Sequence, residues 1–204
     1  MIGVYDYTVI LTYISLITGL TGIYFAINFN SLSAIICLML SGLCDMFDGK
    51  VARTKKNRTE AEKGFGIQID SLSDLIVFGV LPSAIGYSLG VDKTNLFFVL
   101  YLLPLCALIR LAYFNVEEET RSKNNKKERE HYQGLPVTTT AIILPLVYIL
   151  KNIVNNYFTY IYAIFLLIIS ILFITKIKFT KLKTRGLIIM TLFGICVLIL
   201  LMTI

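Results

Sequence analysis

Residues 31–53 read Ser-Leu-Ser-Ala-Ile-Ile-Cys-Leu-Met-Leu-Ser-Gly-Leu-Cys-Asp-Met-Phe-Asp-Gly-Lys-Val-Ala-Arg, and residues 64–75 read Gly-Phe-Gly-Ile-Gln-Ile-Asp-Ser-Leu-Ser-Asp-Leu. The first stretch is long and apolar enough to cross a bilayer, and it ends in two aspartates. The second opens another apolar run, again with two aspartates near its start. A carboxylate at the bilayer centre costs about 2.5–3.5 kcal/mol, and less near the interface, so four of them demand a compensating cation or a wet cavity.

The rest of the chain follows the same pattern. Of 204 residues, 56% are hydrophobic and 16% charged, with a mean hydropathy of +0.76. Soluble domains carry about 25% charged residues, so the apolar excess here must face lipid. The composition excludes a disordered chain and a water-soluble globule. It predicts one all-α, multi-pass membrane domain over residues 1–204, with about seven spans near 8–29, 31–53, 66–90, 95–115, 136–151, 157–175 and 186–203. The turn at 28–31 makes the first two spans a hairpin, and Pro136 suits the first turn of the fifth. The first run lacks a basic leader and a cleavage site, so it is expected to remain as a span. The four cysteines, Cys37, Cys44, Cys106 and Cys196, lie in apolar runs without a C-x-x-C pair and read as small core residues.

The 19 basic residues outnumber the 13 acidic ones. Only Lys93 and Lys151 fall with the loops at 28–31, 91–94 and 151–156. The other 17 belong to the loops at 54–65, 116–134 and 176–185 or to helix ends beside them. That asymmetry predicts a cytoplasmic face for the second set and a cytoplasmic N-terminus in a cell membrane. No soluble surface remains to present a nucleic-acid groove. Residues 176–185 alternate basic and apolar side chains, which suits either a topology signal or a segment lying on the membrane surface.

Asp45 and Asp48 stand at i,i+3 and Asp70 and Asp74 at i,i+4, so each pair shares one helix face. The two spans are antiparallel, which brings both pairs to a similar depth. Four carboxylates aimed at one spot repel one another unless a divalent cation lies among them, and an all-oxygen set favours a hard ion such as Mg²⁺, Mn²⁺ or Ca²⁺. Two ions bridged by the set would form the centre of a phosphoryl-transfer site. Gly49 and Ala52 leave an open strip beside Asp45, and Gly66 keeps the facing helix low. Arg53, nearer the water, suits a phosphate or diphosphate. Two other readings of the aspartates are a cation path in a transporter and a purely structural role.

The run Asp45-x-x-Asp48-Gly49-x-x-Ala52-Arg53, followed by Gly66-x-x-x-Asp70-x-x-x-Asp74, resembles the signature of the CDP-alcohol phosphatidyltransferases. Asp70–Pro82, Arg110–Val116 and Gly134-Leu135-Pro136 are similar to the phosphatidylserine synthase branch of that family. The resemblance implies a six-helix core and a homodimer. It implies transfer of a phosphatidyl group from a CDP-diacylglycerol-type lipid to L-serine with release of CMP, supported by two divalent ions, Mg²⁺ or Mn²⁺. Asp45, Asp48, Asp70 and Asp74 would hold the metal. Asp48, Gly49, Ala52, Arg53 and Gly66 would bind the CDP diphosphate, and Asp74 would act as general base. Arg110, Asn115, Gln133 and Gly134 are the candidates for the serine pocket. Glycerol 3-phosphate, inositol and inositol phosphate are the rival acceptors. The phospholipase D-like route needs two H-x-K motifs and is excluded, because His131 is the single histidine.

Overall fold

A computed structural model describes residues 3–123, 131–180 and 184–203. Helix α1 spans Tyr7–Ile27 and α2 spans Ser31–Ala52. Helix α3, Glu60–Asp74, runs without a break through a π-helical turn, Leu75–Val80, into α4, Leu81–Ser88. Then come α5 (Val99–Lys123), strand β1 (His131–Gln133), α6 (Thr140–Ile149), the short α7 (Lys151–Val154), α8 (Phe158–Ile174), strand β2 (Lys178–Thr180) and α9 (Thr184–Met202).

Among the described residues, five helical stretches are long and apolar enough to cross a membrane: Tyr7–Ile27, Ser31–Ala52, Glu60–Ser88, Val99–Thr120 and Val137–Val154. Two shorter apolar helices, Phe158–Ile174 and Thr191–Met202, complete the expected polytopic bundle.

Local sequence sets the helix starts. Asp6 caps α1 by accepting from the Thr8 amide at 2.9 Å, and Asn30 caps α2 by accepting from the Ser33 amide at 3.1 Å. Thr59 and Glu62 form a reciprocal capping box that starts α3 six residues before the predicted boundary. Much of the polar stretch 54–65 is therefore helix. The α1–α2 turn takes only three residues, 28–30, with Phe29 at φ 58°.

The first two helices pack through small side chains. Ser15 Oγ donates to the Ser41 carbonyl at 3.2 Å, and Ser41 Oγ donates back to the Ser15 carbonyl at 3.0 Å. A Cβ on Gly22 would lie 2.9 Å from Cys37 Cβ, so the backbones meet closely there. Beyond them Phe78, Leu81, Ile85, Leu103, Leu144 and Leu166 are fully buried, with Tyr162 donating to the Pro82 carbonyl at 3.1 Å. In lipid this core gains from packing and hydrogen bonding rather than from escape from water.

The structure adds one element and corrects one expectation. Residues 131–133 and 178–180 form a two-stranded antiparallel ribbon pairing His131 with Thr180, Tyr132 with Phe179 and Gln133 with Lys178. The alternation in 176–180 has the two-residue period of a strand, and residues 178–180 take that form. Cys37 and Cys106 are buried as expected, Cys44 is half-buried, and Cys196 is exposed, on a different side of α9 from buried Val197.

Candidate functional site

Helices α2 and α3 carry the four aspartates to one wall of a cavity of about 420 Å³. One carboxylate oxygen each from Asp45, Asp70 and Asp74 lies within 4.8 Å of the other two. Asp48 sits outside that triangle. Asp45 meets Asp74 at hydrogen-bonding range, and Asp48 meets Asp70 in the same way. Carboxyl groups this close must share a proton or a cation. Asp70 Oδ1 is buried and takes no hydrogen bond from the protein. An orphaned buried oxygen within an all-oxygen acidic set is what a hard divalent ion would satisfy.

The cavity is built from several elements. Gly42 and Gly49 thin the α2 wall; a Cβ on Gly49 would meet nothing nearer than Arg53 Nη2 at 3.9 Å. Arg53 itself lines the cavity; it is an exposed residue anchored by Nε donating to the Gly49 carbonyl at 3.0 Å. Arg110 and Phe114 enter from α5, with the guanidinium carbon 5.9 Å from the Phe114 ring centroid. Pro136–Thr139 supply another wall, and Gly194 and Leu198 of α9 close the side beside α2. The ribbon holds the 136–139 segment in place, because Gly134 N donates to the Ile177 carbonyl at 2.9 Å and Leu135 N to the Leu172 carbonyl at 3.1 Å.

The remaining sequence candidates are placed differently. Ala52 and Gly66 lie outside the cavity lining. The notch over Gly66 is filled by Arg58, whose Nη2 would be 2.7 Å from a Cβ there. Asn115 does not line the cavity but accepts from Ser71 Oγ at 2.8 Å, and Ser71 does line it. Gly134 backs onto α8 and, with Arg110 and Lys176, borders a smaller cavity of about 130 Å³. Gln133 belongs to β1, and its side chain lies outside the described residues.

Sequence reasoning missed Thr12. It is buried on α1 and donates from Oγ1 to Asp48 Oδ2 at 3.2 Å. The signal was present: Thr8, Thr12, Ser15, Gly19, Gly22 and Ala26, all buried, repeat every four and three residues and mark the face of α1 turned to α2 and α4. The π-helical turn directly after Asp74 was also missed. Such turns have no composition signature, yet they are frequent at functional sites.

The family model described as CDP-alcohol phosphatidyltransferase matches residues 8–175. A CDP-diacylglycerol–serine O-phosphatidyltransferase of Saccharomyces cerevisiae is 33% identical over 160 residues, covering 69% of this chain and 54% of the relative. A protein of the same name from Mycobacterium leprae is 34% identical over 135 residues, 65% of this chain and 43% of the relative. An archaetidylserine synthase of Methanothermobacter thermautotrophicus is 33% identical over 171 residues, 83% of this chain and 67% of the relative. The chain spans about half the length of the first two.

Proposed function

The chain belongs to the CDP-alcohol phosphatidyltransferase family, and from that premise we propose that it transfers the phosphatidyl group of CDP-diacylglycerol, or of an ether-linked counterpart, to the hydroxyl of L-serine. The observation that carries this reading is the convergence of four aspartates from two antiparallel helices on a cavity that also receives Arg53 and Arg110. The names of the relatives support serine as the acceptor.

In this reading the lipid tails stay in the bilayer and the nucleotide occupies the cytoplasmic end of the cavity. Asp45, Asp70 and Asp74 would hold one Mg²⁺ or Mn²⁺, with Asp48 completing the set for a second. When bound, the metal neutralises the diphosphate and the oxygen on which CMP departs. Arg53 offers its exposed guanidinium edge to the same diphosphate, and the side-chain-free face at Gly49 lets the CDP lie against the α2 backbone. Arg110 faces the serine carboxylate.

Asp74 takes the proton of the serine hydroxyl. The serine oxygen bonds to the lipid-bearing phosphorus, the bond from that phosphorus to the CMP oxygen breaks, and its electron pair leaves with CMP. Two copies of the chain pair through their outer apolar helices, and the whole of residues 1–204 acts as one domain. The test offers the purified protein CDP-diacylglycerol with serine, glycerol 3-phosphate, inositol or inositol 1-phosphate in turn and measures CMP. Release dependent on serine alone is expected; release dependent on another acceptor overturns the serine assignment.

A further inference from the structure

Helix α1 brings no carboxylate to the site, yet one of its hydroxyls reaches an aspartate there. Three threonines on this helix show the contrast. Thr18 and Thr21, on its exposed side, return their hydroxyls to the carbonyls of Ile14 and Ile17 at 2.8 Å each. That back-bonding is the usual fate of a helical threonine in an apolar setting. Thr12, only 5% exposed, instead sends its hydroxyl across the helix interface to Asp48, 9% exposed.

We infer that Thr12 is a positioning residue for the carboxylate cluster: its hydroxyl fixes the orientation of Asp48 and so sets how tightly the aspartates hold a divalent cation. This rests on the metal-centred reading proposed above.

Two features make the arrangement stiff. One turn along α1, the reciprocal Ser15–Ser41 bonds lock the α1–α2 register on which the Thr12 reach depends. At the N-terminal end, Lys55 Nζ donates to Asp6 Oδ2 at 2.6 Å and to Glu62 Oε1 at 2.9 Å, tying the cap of α1 to the capping box of α3. Thr54 Oγ1 adds a bond to Tyr7 Oη at 3.3 Å. The threonine hydroxyl therefore arrives at Asp48 from a helix clamped to both carboxylate-bearing helices. Outer partners that orient metal-binding carboxylates are typically worth about 10–100-fold in metal affinity.

The experiment titrates Mn²⁺ into the purified full chain in nanodiscs, reads free Mn²⁺ by electron paramagnetic resonance, and records thermal unfolding without metal alongside. Thr12→Val keeps the shape and removes the hydroxyl; Thr12→Ser keeps the donor. Expected are Mn²⁺ binding weakened about 10-fold or more in Thr12→Val, near-native binding in Thr12→Ser, and a raised Mn²⁺ requirement for CMP release in Thr12→Val. Thr18→Val, which removes an α1 hydroxyl that only bonds back to the Ile14 carbonyl on the exposed side, should leave Mn²⁺ affinity unchanged. Thr12→Ala replaces the valine variant if that does not fold. A Thr12→Val protein that melts earlier but binds Mn²⁺ as tightly as the parent overturns the inference while leaving the metal centre intact. A parent protein that binds no Mn²⁺ overturns the metal centre itself, and this inference with it.

Discussion

Gly134 holds φ at +77°, and the place its Cβ would occupy lies 2.7 Å from the backbone carbonyl oxygen of Phe173. Its amide donates to the Ile177 carbonyl. The contact seats the start of α6 against the C-terminal end of α8, where carbonyls lack helical partners. Gly134→Ala combines an unfavourable backbone conformation with a collision against immobile backbone, each on the order of 1–3 kcal/mol. We expect a clearly lower melting temperature with the KM for serine unchanged in the folded fraction. A raised serine KM at an unchanged melting temperature would return Gly134 to the amino-acid pocket.

The triangle of Asp45, Asp70 and Asp74 makes a sharper demand. Asp70→Asn removes a charge while keeping the shape, and Asp74→Asn also removes the proton acceptor. Each should reduce CMP release by at least about 100-fold. Turnover near that of the parent in either purified variant would eliminate the carboxylate-centred mechanism.

The aspartates were legible because charge inside an apolar run is costly, and their spacing alone assigned them to two helix faces. The spans were legible for the same reason of composition. What escaped the sequence depends on three-dimensional contact. Whether Thr12 back-bonds like Thr18 or reaches Asp48 depends on which side of α1 meets α2. The length of α3 was hidden in a polar stretch read as loop, although Thr59 and Glu62 stand at capping-box spacing. The ribbon from 131–133 to 178–180 joins segments 45 or more residues apart, which no local pattern announces. Gly66 was read as an opening for substrate, but the space above it belongs to Arg58.

Arg53 keeps its Nε on the Gly49 carbonyl, and this exposed residue lines the cavity. Lysine has neither the second donor edge nor the planar fork. Arg53→Lys should raise the KM for CDP-lipid about 10-fold, the scale of one lost charge-assisted hydrogen bond, with a smaller effect on the KM for serine. Equal affinity for CDP-lipid in parent and variant would remove Arg53 from the diphosphate site.

Metal removal tests the acidic cluster as a whole. Dialysis against EDTA should abolish CMP release, and Mg²⁺ or Mn²⁺ should restore it, because uncompensated carboxylates at this spacing repel both one another and a bound diphosphate. Full activity in the chelated protein would leave the cluster without its proposed occupant.

The ionic clasp at the start of α1 has a pH signature of defined sign. Lys55 and the Thr8 hydroxyl and amide hold the Asp6 carboxyl down to about 2, and Asp6 and Glu62 raise the Lys55 ammonium above its ordinary value. A carboxyl that titrates lower in the folded chain than near 3.9 in the unfolded one contributes stability that is full above that unfolded value and fades as pH falls towards 2. A lysine raised in the folded chain contributes below its unfolded value and loses that contribution in strong alkali. The clasp therefore works across the whole neutral range and fails at both extremes. Asp6→Asn retains the cap but not the charge. The melting-temperature gap between parent and Asp6→Asn should be constant from about pH 5 to 9, narrow below about pH 4 and close near pH 2. It should also shrink in high salt, since the pair is open to solvent. A gap that persists unchanged at pH 2 would assign the role of Asp6 to its cap on α1 rather than to its bond with Lys55.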